Sequence, residues 1–303
     1  MRALRLFVFL LAALWGTAAL AGTPEQIQVG GLTRNYLLYV PQAVAPHPAL
    51  VVILHGGGNP TRWMERMTGF DTYADQRGFI AVYPEGIDKH WNDGRSTIVN
   101  KVDDVGFISA LISQLSTQFG VDPARVYVTG MSNGALMAET LGCRLAGQIT
   151  AIAPVSGSLP ADVAPGCAPS APVSALLIQG DADPVVPYDG GNVLVYHGQG
   201  EGGGVIGSPA SAQFWAHADG CGTLGAARDL PPQVPEDPTR LSVAETSTCR
   251  GGSTVELITI HGGGHVWPGF VPRNTLLGAP TQQLNATATI VDFFFNHPPQ
   301  AQP

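Results

Sequence analysis

The chain has 303 residues, of which 45% are hydrophobic and only 13% are charged, and its formal net charge is −8 at pH 7. A disordered chain of this length would be richer in charged residues and poorer in apolar ones, so the composition predicts a folded protein. The sequence contains no run of Lys or Arg, and together with the negative net charge this argues against a nucleic-acid partner.

Residues 1–21 have the features of a signal peptide. Two arginines lie near the start, an apolar stretch follows, and Ala19-Leu20-Ala21 has the small-x-small pattern that a signal peptidase recognises. The apolar stretch is short for a helix that spans a membrane, which needs about 20 residues. We therefore predict cleavage after Ala21, no membrane anchor, and a secreted mature chain, extracellular or periplasmic, that forms a single domain over residues 22–303.

Short apolar segments alternate with helical patterns along the mature chain. Strands are predicted at Leu32–Val40, Leu50–Leu54, Phe79–Tyr83, Arg125–Thr129, Thr150–Pro154, Ala175–Ile178 and Val255–Ile260. Helices are predicted at Asp104–Phe119, Ser132–Leu145, Pro209–Ala218 and Thr281–Asn296. This alternation predicts an α/β fold with a mostly parallel, doubly wound sheet and helices on both faces. The glycine-rich segment 198–207 and the proline-rich segment 231–238 are predicted to be surface loops.

The mature chain contains four cysteines, at Cys143, Cys167, Cys221 and Cys249. In an exported protein an even number of cysteines predicts disulfides, and four cysteines can pair in three ways. Local pairing, Cys143 with Cys167 and Cys221 with Cys249, is favoured. A zinc site is not predicted, because no two cysteines have the C-x-x-C spacing.

The segment Gly130-Met131-Ser132-Asn133-Gly134 matches the pattern G-x-S-x-G. A predicted strand runs directly into it and a predicted helix begins at Ser132. This strand, sharp turn and helix is the setting of a nucleophile elbow, which exposes a serine hydroxyl above the edge of a sheet. Ser132 is therefore a candidate nucleophile.

A serine hydroxyl needs a base to take its proton, and the base needs an acid to orient it. The strand at 175–178 is followed by Asp181 and Asp183, and the strand at 255–260 is followed by His261 and His265. The chain order Ser, Asp, His is the one found with a nucleophile elbow. Spacing alone does not choose between the two acids or between the two histidines.

A further motif, His55-Gly56-Gly57-Gly58, directly follows the predicted strand at 50–54. Main-chain N–H groups of such a loop, here near Gly57, form an oxyanion hole with the N–H of the residue after the nucleophile, Asn133. The spacing of His261 and His265 would suit a metal, but three glycines between them break the helix that this would need. No metal site and no cofactor are predicted.

Longer motifs then point to a family. They are LHGGG at 54–58, WN at 91–92, VDDVGFI at 102–108, VDPARVYVTGMSNGA at 121–135, IAPVSG at 152–157, GDADPVVPY at 180–188 and GGGHVWPG at 262–269. With them the chain resembles the extracellular polyhydroxybutyrate depolymerases and feruloyl esterases of the α/β-hydrolase superfamily. The resemblance implies hydrolysis of carboxylic esters through an acyl-enzyme, with Ser132 as nucleophile, Asp183 as acid and His265 as base.

The resemblance implies two substrate classes, plant cell-wall hydroxycinnamoyl esters and hydroxyalkanoate oligomers or polymers. Trp91 and Trp267 are candidate substrate-binding residues, although either indole could instead pack its own loop. The chain departs from the family at Gln179, where a histidine is frequent, and at 93–95, where many members have paired cysteines. The alternative function is a catalytically silent polysaccharide- or polyester-binding protein on the same fold.

Overall fold

The computed structural model describes residues 21–194, 201–247, 249–273 and 275–296. The predicted signal peptide lies outside the described residues except for Ala21. The strands are Thr23–Val29 (β1), Leu32–Tyr39 (β2), Leu50–Leu54 (β3), Ile80–Pro84 (β4), Val126–Met131 (β5), Ala151–Val155 (β6), Ser174–Gly180 (β7), Gly190–Asn192 (β8), Gly204–Ile206 (β9), Arg228–Asp229 (β10), Arg240–Glu245 (β11) and Val255–His261 (β12). The α-helices are Thr61–Thr68 (α1), Phe70–Arg77 (α2), Asp104–Phe119 (α3), Asn133–Arg144 (α4), Ser208–Ala218 (α5) and Ala286–Asn296 (α6).

Ten strands form one sheet in the order β1-β2-β4-β3-β5-β6-β7-β12-β11-β10. The six strands from β4 to β12 in this order are parallel, and two antiparallel strands extend the sheet at each edge. The predicted α/β fold with a mostly parallel sheet is therefore confirmed. Parallel strands have their carboxyl ends on the same side of the sheet, so the loops after β3, β5, β7 and β12 all lie on that side.

Helices cover both faces of the sheet, which explains why the central strands are continuous apolar runs. On one face, α3, α4 and α5 pack side chains such as Phe107, Leu141 and Trp215 into the core. On the other face, α1, α2 and α6 contribute Met64, Phe70 and their neighbours. Every residue of β3, β4, β5 and β6 is buried.

The structure differs from the sequence-based expectations in polar segments. The edge strands β1, β10 and β11 and the helices α1 and α2, each of eight residues, were not predicted. Residues 204–206 of the predicted loop form β9, which pairs with β8. Helix α6 begins at Ala286 rather than Thr281, because the preceding segment bonds to a turn instead: the N–H of Gln282 donates to Asp237 Oδ2 at 2.5 Å.

Two disulfides join segments that flank the central sheet. Cys143 pairs with Cys167 and Cys221 pairs with Cys249, the local pairing that the sequence favours. The first bond ties the end of α4 to the segment before β7, and the second ties the segment after α5 to the one before β12. Among the residues that the structure describes, no helix is both long enough and apolar enough to span a membrane.

Candidate active site

The turn between β5 and α4 holds Ser132 in a conformation that non-glycine residues rarely adopt. Its φ and ψ are 56° and −125°, and a positive φ of this kind persists only where the surrounding structure fixes it. The two flanking glycines make the turn sterically feasible. A Cβ at Gly130 would lie 2.5 Å from the carbonyl oxygen of Gly134, and a Cβ at Gly134 would lie 2.5 Å from that of Leu54. The G-x-S-x-G pattern is thus a packing requirement of this turn.

Asp183 and His265 are brought together by the loops after β7 and β12. Asp183 Oδ2 lies 2.8 Å from His265 Nδ1, and the Asp183 side chain is fully buried. The other carboxylate oxygen accepts the main-chain N–H groups of Val185 and Val186 at 2.7 and 2.9 Å. Gln179 Nε2 donates to Oδ2 at 3.0 Å. These four contacts hold the carboxylate in place beside the imidazole.

Asp181 and His261, the alternatives from the sequence, form a separate pair. Asp181 Oδ2 lies 2.8 Å from His261 Nδ1, and His261 Nε2 is 2.8 Å from Ser242 Oγ. The His261 and Asp181 side chains are 44% and 34% exposed, whereas that of His265 is 7% exposed. The two acid–histidine pairs therefore share the same two loops, but only the Asp183 pair is buried.

His55 orients the loop that carries Gly57. Its Nε2 accepts the main-chain N–H of Gly86 at 3.0 Å, so its Nδ1 carries the proton and donates to the carbonyl of Gly56 at 2.9 Å. Burial lowers the pKa of His55 to about 4, which keeps the ring neutral. In a trans peptide the C=O and N–H point in opposite directions. The N–H of Gly57 therefore points away from His55, and it has no hydrogen-bond partner among the described residues.

Asn133 is held by its side chain while its main chain begins α4. Its Oδ1 accepts the N–H of Trp91 at 2.8 Å, and its Nδ2 donates to Asp93 Oδ2 at 2.7 Å. Asp93 is itself paired with Arg95 at 2.7 Å, and both side chains are buried. The main-chain N–H of Asn133 lies in the first turn of the helix, where such groups lack a partner within the helix. The departure at 93–95 thus supplies an ion pair that supports Asn133.

A cavity of about 490 Å³ lies where these loops meet, and both Ser132 and His265 line it. Gly57 and Asn133 line the same cavity. Much of its wall is apolar and includes Trp63, Leu136, Val185, Val186, Leu194 and Leu277. The structure therefore brings the predicted nucleophile, base and oxyanion donors to one apolar cavity, with the predicted acid behind the base.

The expectation that Trp91 and Trp267 bind substrate is wrong for this structure, because both indoles are packed in the core. Trp91 is fully buried, and its Nε1 donates to the carbonyl of His55 at 2.9 Å. Trp267 is 2% exposed, and its Nε1 donates to Thr287 Oγ1 on α6 at 3.1 Å. Trp91 therefore supports the Gly57 loop from behind, and Trp267 fixes the histidine loop to α6.

The sequence alone gave no role to several residues that line the cavity. Trp63 comes from α1, which begins shortly after the glycine loop, and His90 lies beside Gly57. A Cβ at Gly57 would come within 2.8 Å of His90 Nε2, so a larger residue there would displace the His90 ring. Val185 and Val186 follow the acid after Pro184, and this apolar pair was the one available signal. No group of three or more His, Cys, Asp or Glu side chains in the described part of the chain is arranged to hold a metal.

Comparison with known proteins shows which family has a similar sequence. A family model described as Esterase PHB depolymerase matches residues 34–206, a range that includes Ser132 and Asp183 and ends before His265. The NocK protein of Nocardia uniformis subsp. tsuyamanensis, named as an esterase, is 31% identical over 283 residues, covering 89% of this chain and 82% of NocK. Feruloyl esterase B of Piromyces equi is 32% identical over 194 residues, covering 62% of this chain but 34% of that protein.

Solved structures agree on the fold. The acetyl xylan esterase from Aspergillus awamori superposes with a TM-score of 0.59 at 16% sequence identity, covering 90% of this chain and 99% of that chain. The protein named pOPH superposes with a TM-score of 0.54 at 16% identity, covering 95% of this chain and 93% of that chain. At such low identity the likeness concerns the fold alone.

Proposed function

The chain belongs to the esterase PHB depolymerase family and is a carboxylic ester hydrolase, and we propose that it is a secreted serine esterase with the triad Ser132, His265 and Asp183. The observation that carries this proposal is the cavity lined by both Ser132 and His265, with the buried Asp183 carboxylate 2.8 Å from the far side of the imidazole. The three residues come from loops that follow parallel strands of the sheet, so their side chains can meet as the chemistry requires.

The reaction proceeds through an acyl-enzyme. His265 Nε2 takes the proton of Ser132 Oγ, which attacks the ester carbonyl, while Asp183 stabilises the imidazolium. The N–H groups of Gly57 and Asn133 donate to the oxyanion, and each such donor typically contributes about 3 kcal/mol to transition-state stabilisation. His265 then protonates the departing alcohol, and water hydrolyses the acyl-enzyme by the same route. Apart from the water that hydrolyses the acyl-enzyme, the chain's own residues supply every group that this mechanism uses.

Secretion and domain organisation are part of the same proposal. The pattern of residues 1–21 supports cleavage after Ala21 and export. Both disulfides favour an oxidising compartment, extracellular or periplasmic. A single ten-stranded sheet spans the described residues, which supports one catalytic domain over 22–303.

The substrate class stays open between hydroxycinnamoyl esters of plant cell-wall polysaccharide and hydroxyalkanoate oligomers or polymers. The feruloyl esterase relative favours the first, and the family description favours the second. The apolar cavity suits either acyl group. Comparing kcat/KM for methyl ferulate with that for 3-hydroxybutyrate oligomers assigns the class, since the preferred acyl group fits the cavity better.

The decisive experiment replaces Ser132 by alanine. We expect loss of p-nitrophenyl acetate turnover and loss of covalent labelling by a fluorophosphonate probe, with unchanged circular dichroism. Ser113→Ala, at an exposed position on α3, serves as the matched control and should keep both activities. Turnover by folded Ser132→Ala would refute the proposal. A wild-type protein that neither labels nor turns over esters would instead favour a silent polysaccharide- or polyester-binding protein.

A further inference from the structure

Gly22, the first residue after the predicted cleavage site, has its main-chain nitrogen in a buried carboxylate site. The nitrogen donates to Glu65 Oε1 at 2.5 Å, and the carbonyl oxygen of Gly22 accepts from Arg62 Nη1 at 2.9 Å. Gly22 and Glu65 are both buried. The chain end that processing would create is therefore docked on the body of the protein.

The site contains three carboxyl groups but one guanidinium group. Glu65 is 3% exposed and lies beside the partly buried Asp71, with Asp75 at the exposed margin. Burial, with the charge of Glu65 as a further contribution, raises the pKa of Asp71 to about 7. Among the described residues, the only ion pair to this cluster comes from Arg62, whose side chain is 35% exposed. Two tyrosine hydroxyls complete the site as neutral donors: Tyr39 to Asp75 and Tyr83 to Asp71.

The geometry is specific for a residue without a side chain. A Cβ at residue 22 would lie 2.9 Å from Glu65 Oε1 and 3.3 Å from Leu37 Cβ. Glycine therefore lets the main-chain nitrogen approach the carboxylate closely. A buried carboxylate with one half-exposed guanidinium and a close N–H donor is a site suited to a second cation, because an unbalanced buried charge is costly.

We propose that this site binds the α-ammonium group of the mature N-terminus at Gly22, so that processing creates a buried ion pair with Glu65. The inference rests on the cleavage after Ala21 proposed above. Hydrolysis breaks the Ala21–Gly22 peptide bond, water supplies a hydroxyl to the Ala21 carbonyl and a proton to the Gly22 nitrogen, and a second proton from solvent makes the ammonium. The neutral amide of the precursor thereby becomes a cation next to Glu65.

The ion pair reaches the active site through α1. Glu65 lies on the buried side of this helix, and the same helix places Trp63 in the wall of the catalytic cavity. Helix α1 also follows closely after the loop that presents Gly57. Docking the ammonium group on Glu65 therefore fixes the helix that borders both the cavity and the oxyanion loop, and the mature enzyme is more stable than a form extended at its N-terminus.

The test compares two N-termini in two backgrounds. Full-length protein is exported with its native leader, either directly before Gly22 or with Ala-Ser inserted between Ala21 and Gly22, and mass spectrometry identifies the N-terminus. In the wild-type background we expect the Gly22 terminus to lower the unfolding equilibrium constant about tenfold relative to the extended form, which is about 3 °C in Tm for a chain of this size. In Glu65→Gln the two N-termini should give equal Tm values.

The matched control is Glu25→Gln, an exposed acid near the same terminus, which should keep the full difference between the two N-termini. Equal Tm values for the two wild-type forms would overturn the proposal, and so would a difference that survives Glu65→Gln. The proposal would also be overturned if the mature chain began at a residue other than Gly22, because cleavage would then not occur after Ala21. None of these outcomes depends on esterase turnover, so they are distinguishable from a failure of the proposed triad.

Discussion

Replacing Asp183 by asparagine tests whether this carboxylate sets the proton position on His265. The side chain is fully buried, and asparagine has the same size. Its amide oxygen can accept the N–H groups of Val185 and Val186, which leaves the NH₂ group facing His265 and Gln179. A donor at that position forces His265 Nδ1 to act as an acceptor. The ring proton then moves to Nε2, the nitrogen that has to take the proton of Ser132.

The expected magnitude follows from this change of tautomer. The same carboxylate-to-amide change in a serine protease triad lowers kcat about 10⁴-fold, which corresponds to about 5.4 kcal/mol of transition-state stabilisation. In this site the NH₂ group of the new amide also faces the Nε2 donor of Gln179. No carboxylate remains to stabilise the imidazolium. We therefore expect a loss of about 10⁴-fold in kcat, with KM changed far less.

The assay measures kcat and KM for p-nitrophenyl acetate from pH 5 to pH 9, with Tm and circular dichroism as checks of folding. Asp181→Asn is the matched control, because its carboxylate is 34% exposed and pairs with His261. We expect that variant to keep kcat within about threefold of wild type. The reasoning fails if folded Asp183→Asn retains more than about a tenth of wild-type kcat. It also fails if Asp181→Asn loses as much activity.

Three other parts of the molecule lead to measurable expectations. His55→Leu removes the hydrogen bond that holds the carbonyl of Gly56, so the Gly57 N–H is no longer held in one direction. We expect kcat to fall about 100-fold with little change in KM, and an unchanged kcat would contradict this. Burial raises the pKa of Glu139 to about 7 from 4.5, so the folded state keeps a proton that the unfolded chain releases. The Tm of the wild type minus that of Glu139→Gln should therefore fall as pH rises from about 4.5 to about 7, and should stay constant above pH 7. If scanning calorimetry shows that this difference does not change with pH, the assignment is refuted. Replacing Cys221 and Cys249 by serine should cost about 3–4 kcal/mol in urea unfolding and leave kcat intact, and an unshifted midpoint would contradict the loop-entropy argument.

Much of the site could be predicted because short sequence motifs determine its local geometry. The strand, glycine, serine and helix pattern around Ser132 arises from close contacts within the turn itself, and the glycine loop after β3 likewise needs no distant information. The two Asp–His pairs show where local reasoning stops. Asp181 and Asp183 follow the same strand, and His261 and His265 follow another. In the folded structure one pair is buried beside the cavity and the other is exposed at the surface, and spacing alone does not show this.

By itself the sequence determined which strands are buried on both faces, since an apolar run is stable only where helices cover both sides of a sheet. It also determined the sharp turn at Ser132, because neighbouring glycines set that geometry within a few residues. Only the tertiary structure decided that Trp91 and Trp267 lie in the core, that α1 borders the cavity, and that Gly22 lies on Glu65. Those facts depend on contacts between segments far apart in the chain, and such contacts are selected by packing the whole sheet rather than by any local pattern.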